Sequence, residues 1–121
     1  MTDRELLEFA AKAAGLEFDR SPHNGGGSGN TGFDMMGNAV LDWHNNTIWN
    51  PLTDDGDALR LAVKLRIKFR YSEVLGQGLA CTGRSPDFEA QANIEDFGRD
   101  EVACVRRAIV RAAAEIGKAS I

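Results

Sequence analysis

An α+β fold is predicted for this chain, with three amphipathic helices packed around a mainly antiparallel sheet in an arrangement like an α/β/α sandwich. Three segments with apolar residues at helical spacing, and one segment of strict apolar and basic alternation, carry that expectation. At 121 residues the chain is long enough to bury one core without disulfides or metal, and too short for two, so a single domain over residues 1–121 is expected. Apolar residues make up 43% and charged residues 26%, far from the composition of a disordered chain.

The first helix is expected at about residues 3 to 14. Thr2 and Glu5 form a capping box, Leu6, Leu7, Ala10, Ala13 and Ala14 supply a buried stripe, and Gly15 suits a left-handed terminator. Residues 16 to 20 read as a short strand through Leu16 and Phe18. The run of Pro, His, Asn, Ser, Thr and Gly over residues 21–32 has no apolar period and reads as a flexible loop. Between Phe33 and Trp49 two short strands are expected, joined by a turn at His44 to Thr47.

A second helix is announced by Pro51 and by Thr53, Asp54 and Asp55, whose oxygens suit an N-terminus. Ala58, Leu61, Ala62 and Leu65 form its apolar stripe, with Arg60 and Lys64 on the opposite face. Ile67, Phe69 and Tyr71 then alternate with Arg66, Lys68 and Arg70, which predicts a strand with one apolar and one basic face. Gly76 and Gly78 suggest a turn, Leu79 to Thr82 a partner strand, and Phe88, Ala90, Ala92 and Ile94 a third, completing an antiparallel meander. A last helix is expected from about Asp100 to Ile116, with Val102, Val105, Ile109, Ala112, Ala113 and Ile116 facing inward and Gly117 as its terminator.

Three blocks of this sequence, TDRELLEFAAKAAG (Thr2 to Gly15), WNPLTDDGDALRLAVKL (Trp49 to Leu65) and RRAIVRAAAEIGK (Arg106 to Lys118), resemble the phage ABA-sandwich domain family. Together they cover about a third of the chain, and the central block is the most specific. The resemblance implies helices on both faces of a sheet and a small phage or prophage protein. It brings no catalytic residues to transfer, and it does not extend to Leu16 through Ile48 or to Arg66 through Arg99.

The chemistry-bearing residues give no convergent catalytic set. Gly27 to Gly32 satisfies a dinucleotide-binding spacing, but Phe33 to Val40 reads poorly as a helix and no Lys-Ser or Lys-Thr succeeds the glycines, so a loop is the stronger reading. Asp54, Asp55, Gly56 and Asp57 fail the calcium-loop pattern, because Ala62 stands where the terminal Glu belongs, and are expected to cap the helix. His23, His44, Cys81 and Cys104 lack the paired spacing of a zinc site, and the two cysteines read as reduced, small core residues. No cofactor or metal is expected.

Arg66, Lys68 and Arg70, with Lys64, make the best candidate surface: three cations on one strand face would track phosphates, although a solvated face explains them more simply. Arg106, Arg107 and Arg111 are expected near the C-terminal end of the last helix, where cations complement its dipole. Trp43, Trp49 and Pro51 read as core and turn elements, the last two standing before the helix-two cap formed by Asp54, Asp55 and Asp57.

With 14 Lys and Arg against 18 Asp and Glu, the net charge of −4 offers no global field for nucleic acid or anionic membrane. Residues at the N-terminus lack a basic and apolar leader, and no run is long enough to cross a bilayer, so a cytoplasmic location is expected. The functional expectation is a non-enzymatic phage or prophage accessory protein that binds a host or phage protein, with a defence protein as one form of target. The alternative is nucleic-acid binding through the basic strand.

Overall fold

Thr2 starts the chain's first helix by the expected reciprocal capping: its hydroxyl accepts the Glu5 N–H at 3.2 Å, and the Glu5 carboxylate accepts the Thr2 N–H at 3.2 Å. In this computed structural model the described residues are 2–18, 32–34, 36–42, 45, 47–82 and 89–119. They form α1 (Asp3–Ala14), β1 (Ala39–Asp42), β2 (Thr47–Trp49), α2 (Asp55–Leu65), β3 (Ile67–Ser72), β4 (Gln77–Thr82), β5 (Glu89–Asn93), one 3-10 turn (Ile94–Phe97) and α3 (Glu101–Ala119). The class is α+β as expected, with three helices and antiparallel sheet: α3, and α2 at β3, pack against the sheet, whereas α1 packs chiefly on α3 and α2.

β1 and β2 form an antiparallel hairpin, and β3, β4 and β5 an antiparallel meander in that spatial order. Helix α3 is the central element. It packs on α1, on α2 and on every strand of the meander. Its consecutive Ala112, Ala113 and Ala114 are all wholly buried, and side chains about 100° apart along a helix can be buried together only when the helix is enclosed on several sides. The main core joins Leu6, Leu7 and Ala10 of α1 to Leu61 and Leu65 of α2, Ile109 and Val110 of α3, and Trp49 of the hairpin.

Five local expectations change. Leu16 to Phe18 form no strand: Leu16 N–H closes the end of α1 on the Ala11 carbonyl at 2.9 Å, and Phe18 turns inward to meet Phe33 edge-on at 5.2 Å and Trp49 at 6.3 Å. Arg66 is outside β3 and caps α2 in a left-handed conformation (φ 57°), its N–H reaching the Ala62 and Val63 carbonyls. Gly78 lies within β4 rather than in the turn, and it is the close approach of α3 that calls for glycine, since a Cβ there would come within 2.7 Å of the Cys104 backbone. Gly117 does not end α3, which continues to Ala119 while position 117 packs on the α1 backbone. The meander's third strand also stops at Asn93, and Ile94 opens the 3-10 turn. Phe88, Trp43, Met35, both histidines and nearly all of the glycine-rich loop at 21–32 lie outside the described residues.

Candidate interaction surface

The two faces of the meander differ completely. On one side Ile67, Ala80, Ala90 and Ala92 are buried beneath α3. Strand alternation turns the neighbouring residues to the other side, where Lys68 pairs in register with Cys81, which pairs with Glu89, and Arg70 pairs with Leu79, which pairs with Gln91. Lys68, Arg70, Glu89 and Gln91 are exposed and Leu79 and Cys81 half-buried, so among the described residues no element covers this face. It holds a shallow hollow of about 510 Å³, with Leu75 at its margin.

Of the four cations expected to act together, the fold aligns two. Lys68 and Arg70 share the uncovered face, Arg66 is withdrawn to the α2 cap, and Lys64 lies on the exposed side of α2. None of the four forms an ion pair with a described residue. Alternation places Lys68 and Arg70 as expected, but the aromatic side of β3 is less buried than it predicts: Phe69 is 44% exposed and Tyr71 half-buried.

Those two rings border a second hollow, about 430 Å³, where β3 meets α2 and α3. Leu59 and Val102 stand at its rim, 55% and 51% exposed, which explains why Val102 leaves the stripe predicted for the last helix. Burial pushes the Tyr71 phenol above its ordinary value, and the nearby Glu101 charge adds to the effect.

The two edges of the meander are unequal. Ile94 N–H donates to the Gly76 carbonyl, and with unbroken antiparallel register this assigns the groups of Gly78 and Ala80 to β5 and those of Gln77, Leu79 and Cys81 to β3. The backbone N–H and C=O groups of Phe69 and Tyr71 therefore point outward, and no backbone group of another described element bonds to them. On the opposite edge Arg111 donates to the Gln91 carbonyl at 2.5 Å.

Arg111 thus closes an edge rather than serving the helix dipole. Arg106 and Arg107 lie in the N-terminal half of α3 and are tethers as well. Arg106 Nε donates to the Leu52 carbonyl at 2.8 Å and its Nη1 to Asp55 at 2.6 Å; Arg107 pairs with Asp3 and lies 5.3 Å from the Phe97 ring centre. These long-range bonds are invisible to sequence spacing.

Trp49 is 6% exposed and Pro51 wholly buried, as core and turn elements. Asp54 accepts the Asp57 N–H at 2.8 Å and caps α2. Asp57 itself reaches out of the helix to accept the Asn50 N–H at 2.9 Å and the Arg60 guanidinium at 2.7 Å. The hub of this cluster is Asn50, which residue spacing does not single out. Its side chain donates to Asn38 at 2.8 Å and accepts the Leu52 N–H at 3.1 Å, while its carbonyl accepts from Thr53 and Asp54. An Asn directly before Pro is the signal that would have found it.

No family model, curated protein or solved structure matches this chain. Among the described residues no three His, Cys, Asp or Glu side chains gather as a metal site, and no helix is long and apolar enough to cross a membrane. Cys81 and Cys104 are free thiols; Cys104 is buried, with its sulfur 3.4 Å from the Ala92 carbonyl.

Proposed function

We propose that this chain is a non-enzymatic binding protein of the phage or prophage accessory kind that its three sequence blocks resemble, acting in the bacterial cytoplasm on a host or phage protein. The supporting observation is the uncovered face of the meander, where Lys68 and Arg70 stand beside Leu79 and Cys81. Cations without ion partners among the described residues, interleaved with half-buried apolar side chains, suit a protein surface better than a purely solvated one. A photo-crosslinking residue at Gln91, compared with one at Glu8 on the exposed side of α1, tests the reading in bacterial cells. A discrete product from position 91 that Arg70→Glu abolishes supports it. Equal products from both positions, or none from either, would overturn it.

Nucleic-acid binding is the second reading, favoured by the adjacency of Lys68 and Arg70 on one bare face. The exposed Phe69 ring, however, belongs to the opposite face of β3, which disfavours its stacking on bases whose phosphates those cations hold. Salt-dependent retention on single-stranded DNA or RNA that is lost in the Lys68→Glu, Arg70→Glu double variant would establish this reading; no retention at low salt removes it.

A further inference from the structure

The free edge of β3 combines three properties. Among the described residues it offers unbonded backbone groups at Phe69 and Tyr71, an apolar hollow on the α3 side bordered by Leu59, Phe69, Tyr71 and Val102, and two cations without ion pairs on the other side. The far edge of the same sheet is blocked at Gln91 by Arg111. We infer that β3 accepts an added strand: an extended segment of a partner protein in which acidic and apolar residues alternate.

Side chains of an incoming strand alternate between the two faces of the sheet. One set lies beside Lys68 and Arg70, where carboxylates are favoured. The other set lies beside Phe69 and Tyr71, above the hollow, where apolar groups leave water. Backbone bonds supply the pairing, and the two sets of side chains select the sequence.

A second copy of this chain does not meet those requirements. Pairing β3 with itself about a two-fold axis keeps each sheet face continuous, and each central register then sets Lys68 or Arg70 against itself or against the other. Like charges directly opposite across strands are destabilising. The same two cations therefore discourage self-association and favour an acidic partner.

This inference rests on the proposed protein-binding role and names its partner chemistry. The probe is a fluorescent synthetic peptide of alternating Glu and Val with Gly-Ser flanks, titrated against the full chain by anisotropy. A peptide of the same composition in separate Glu and Val blocks should bind about tenfold more weakly, and the double variant Lys68→Glu, Arg70→Glu should instead prefer a Lys-Val alternating peptide. N-methylation at alternate backbone positions separates strand addition from simple charge attraction: one of the two methylated series should lose binding and the other keep it. Amide exchange at Phe69 and Tyr71 should slow on binding. Equal affinity for the blocked peptide, or equal tolerance of both methylated series, would refute strand addition. If the peptides fail while crosslinking from Gln91 persists, the binding role stands and strand addition falls; if both fail, both readings fall.

Discussion

Gly117 of α3 lies directly on the backbone of Phe9 in α1: a Cβ built at 117 would stand 2.7 Å from the Phe9 carbonyl carbon and closer still to its oxygen. Side chains can rotate away from such a clash, whereas the backbone of a packed helix cannot. The two helices are thus in contact through their main chains at this point, and only glycine permits it.

Gly117→Ala should lower stability by about 1–3 kcal/mol, despite the better helix propensity of Ala, because overpacking outweighs it. Gly56→Ala provides the contrast. Its added methyl would approach only the ends of the Arg60 and Asp54 side chains, at 3.1 to 3.2 Å, and the largely exposed Arg60 can give by the few tenths of an ångström needed while keeping its bond to Asp57. That variant should be neutral or stabilising by about 0.5 kcal/mol. Urea denaturation of both variants measures the difference, and equal behaviour would contradict the close approach.

Asn50→Ala should cost about 1–3 kcal/mol, since it strands the buried Leu52 N–H and removes the link to Asn38. Hydrogen exchange at Leu52 should accelerate in the variant. Unchanged protection there would mean that Asn50 is not the hub of the turn before α2.

Arg106→Lys retains charge but cannot span both the Leu52 carbonyl and Asp55 as the guanidinium does. A loss of about 1–2 kcal/mol is expected by chemical denaturation. Asp55→Asn should cost less than about 1 kcal/mol, because that carboxylate is mostly exposed and water screens the pair. A reversed order would place the energy in the ion pair rather than in the carbonyl tether.

Hydrogen bonds from the Thr2 backbone and hydroxyl hold the Glu5 carboxyl below its ordinary value of 4.5. A carboxyl whose pKa falls on folding binds fewer protons in the folded state, so its contribution is present above the unfolded value and disappears as pH falls through the folded one. The stability difference between the native chain and Glu5→Gln should therefore be largest at neutral pH and shrink below the carboxylate range. Carboxyl titration followed by NMR gives the same test directly, and a Glu5 midpoint at or above 4.5 would contradict it.

The helices were legible because their signals are local. Thr2 with Glu5, Gly15, Asp54 and the stripe Ala58, Leu61, Ala62 and Leu65 each act within a few residues, and each stands where spacing placed it. The basic strand was legible only in part. Alternation told which residues share a face of β3, but Arg66 belongs to the preceding cap, because the chain must reverse direction between α2 and β3. Glycine misleads twice, at positions 78 and 117, since a glycine demanded by a neighbouring backbone looks the same in sequence as one demanded by a turn.

By itself the sequence determined the α+β class, the start of each helix, the hairpin, the meander and the residue types on each side of β3. Capping, periodicity and turn chemistry are short-range, so they survive in a linear string. Only the tertiary structure decided that α3 covers one face of the meander while no described element covers the other, that Arg111 closes one edge and leaves β3 open, and that Asn50 ties the open end of the hairpin to α2. Those outcomes depend on which distant segments meet, and distance along the chain carries no record of distance in space.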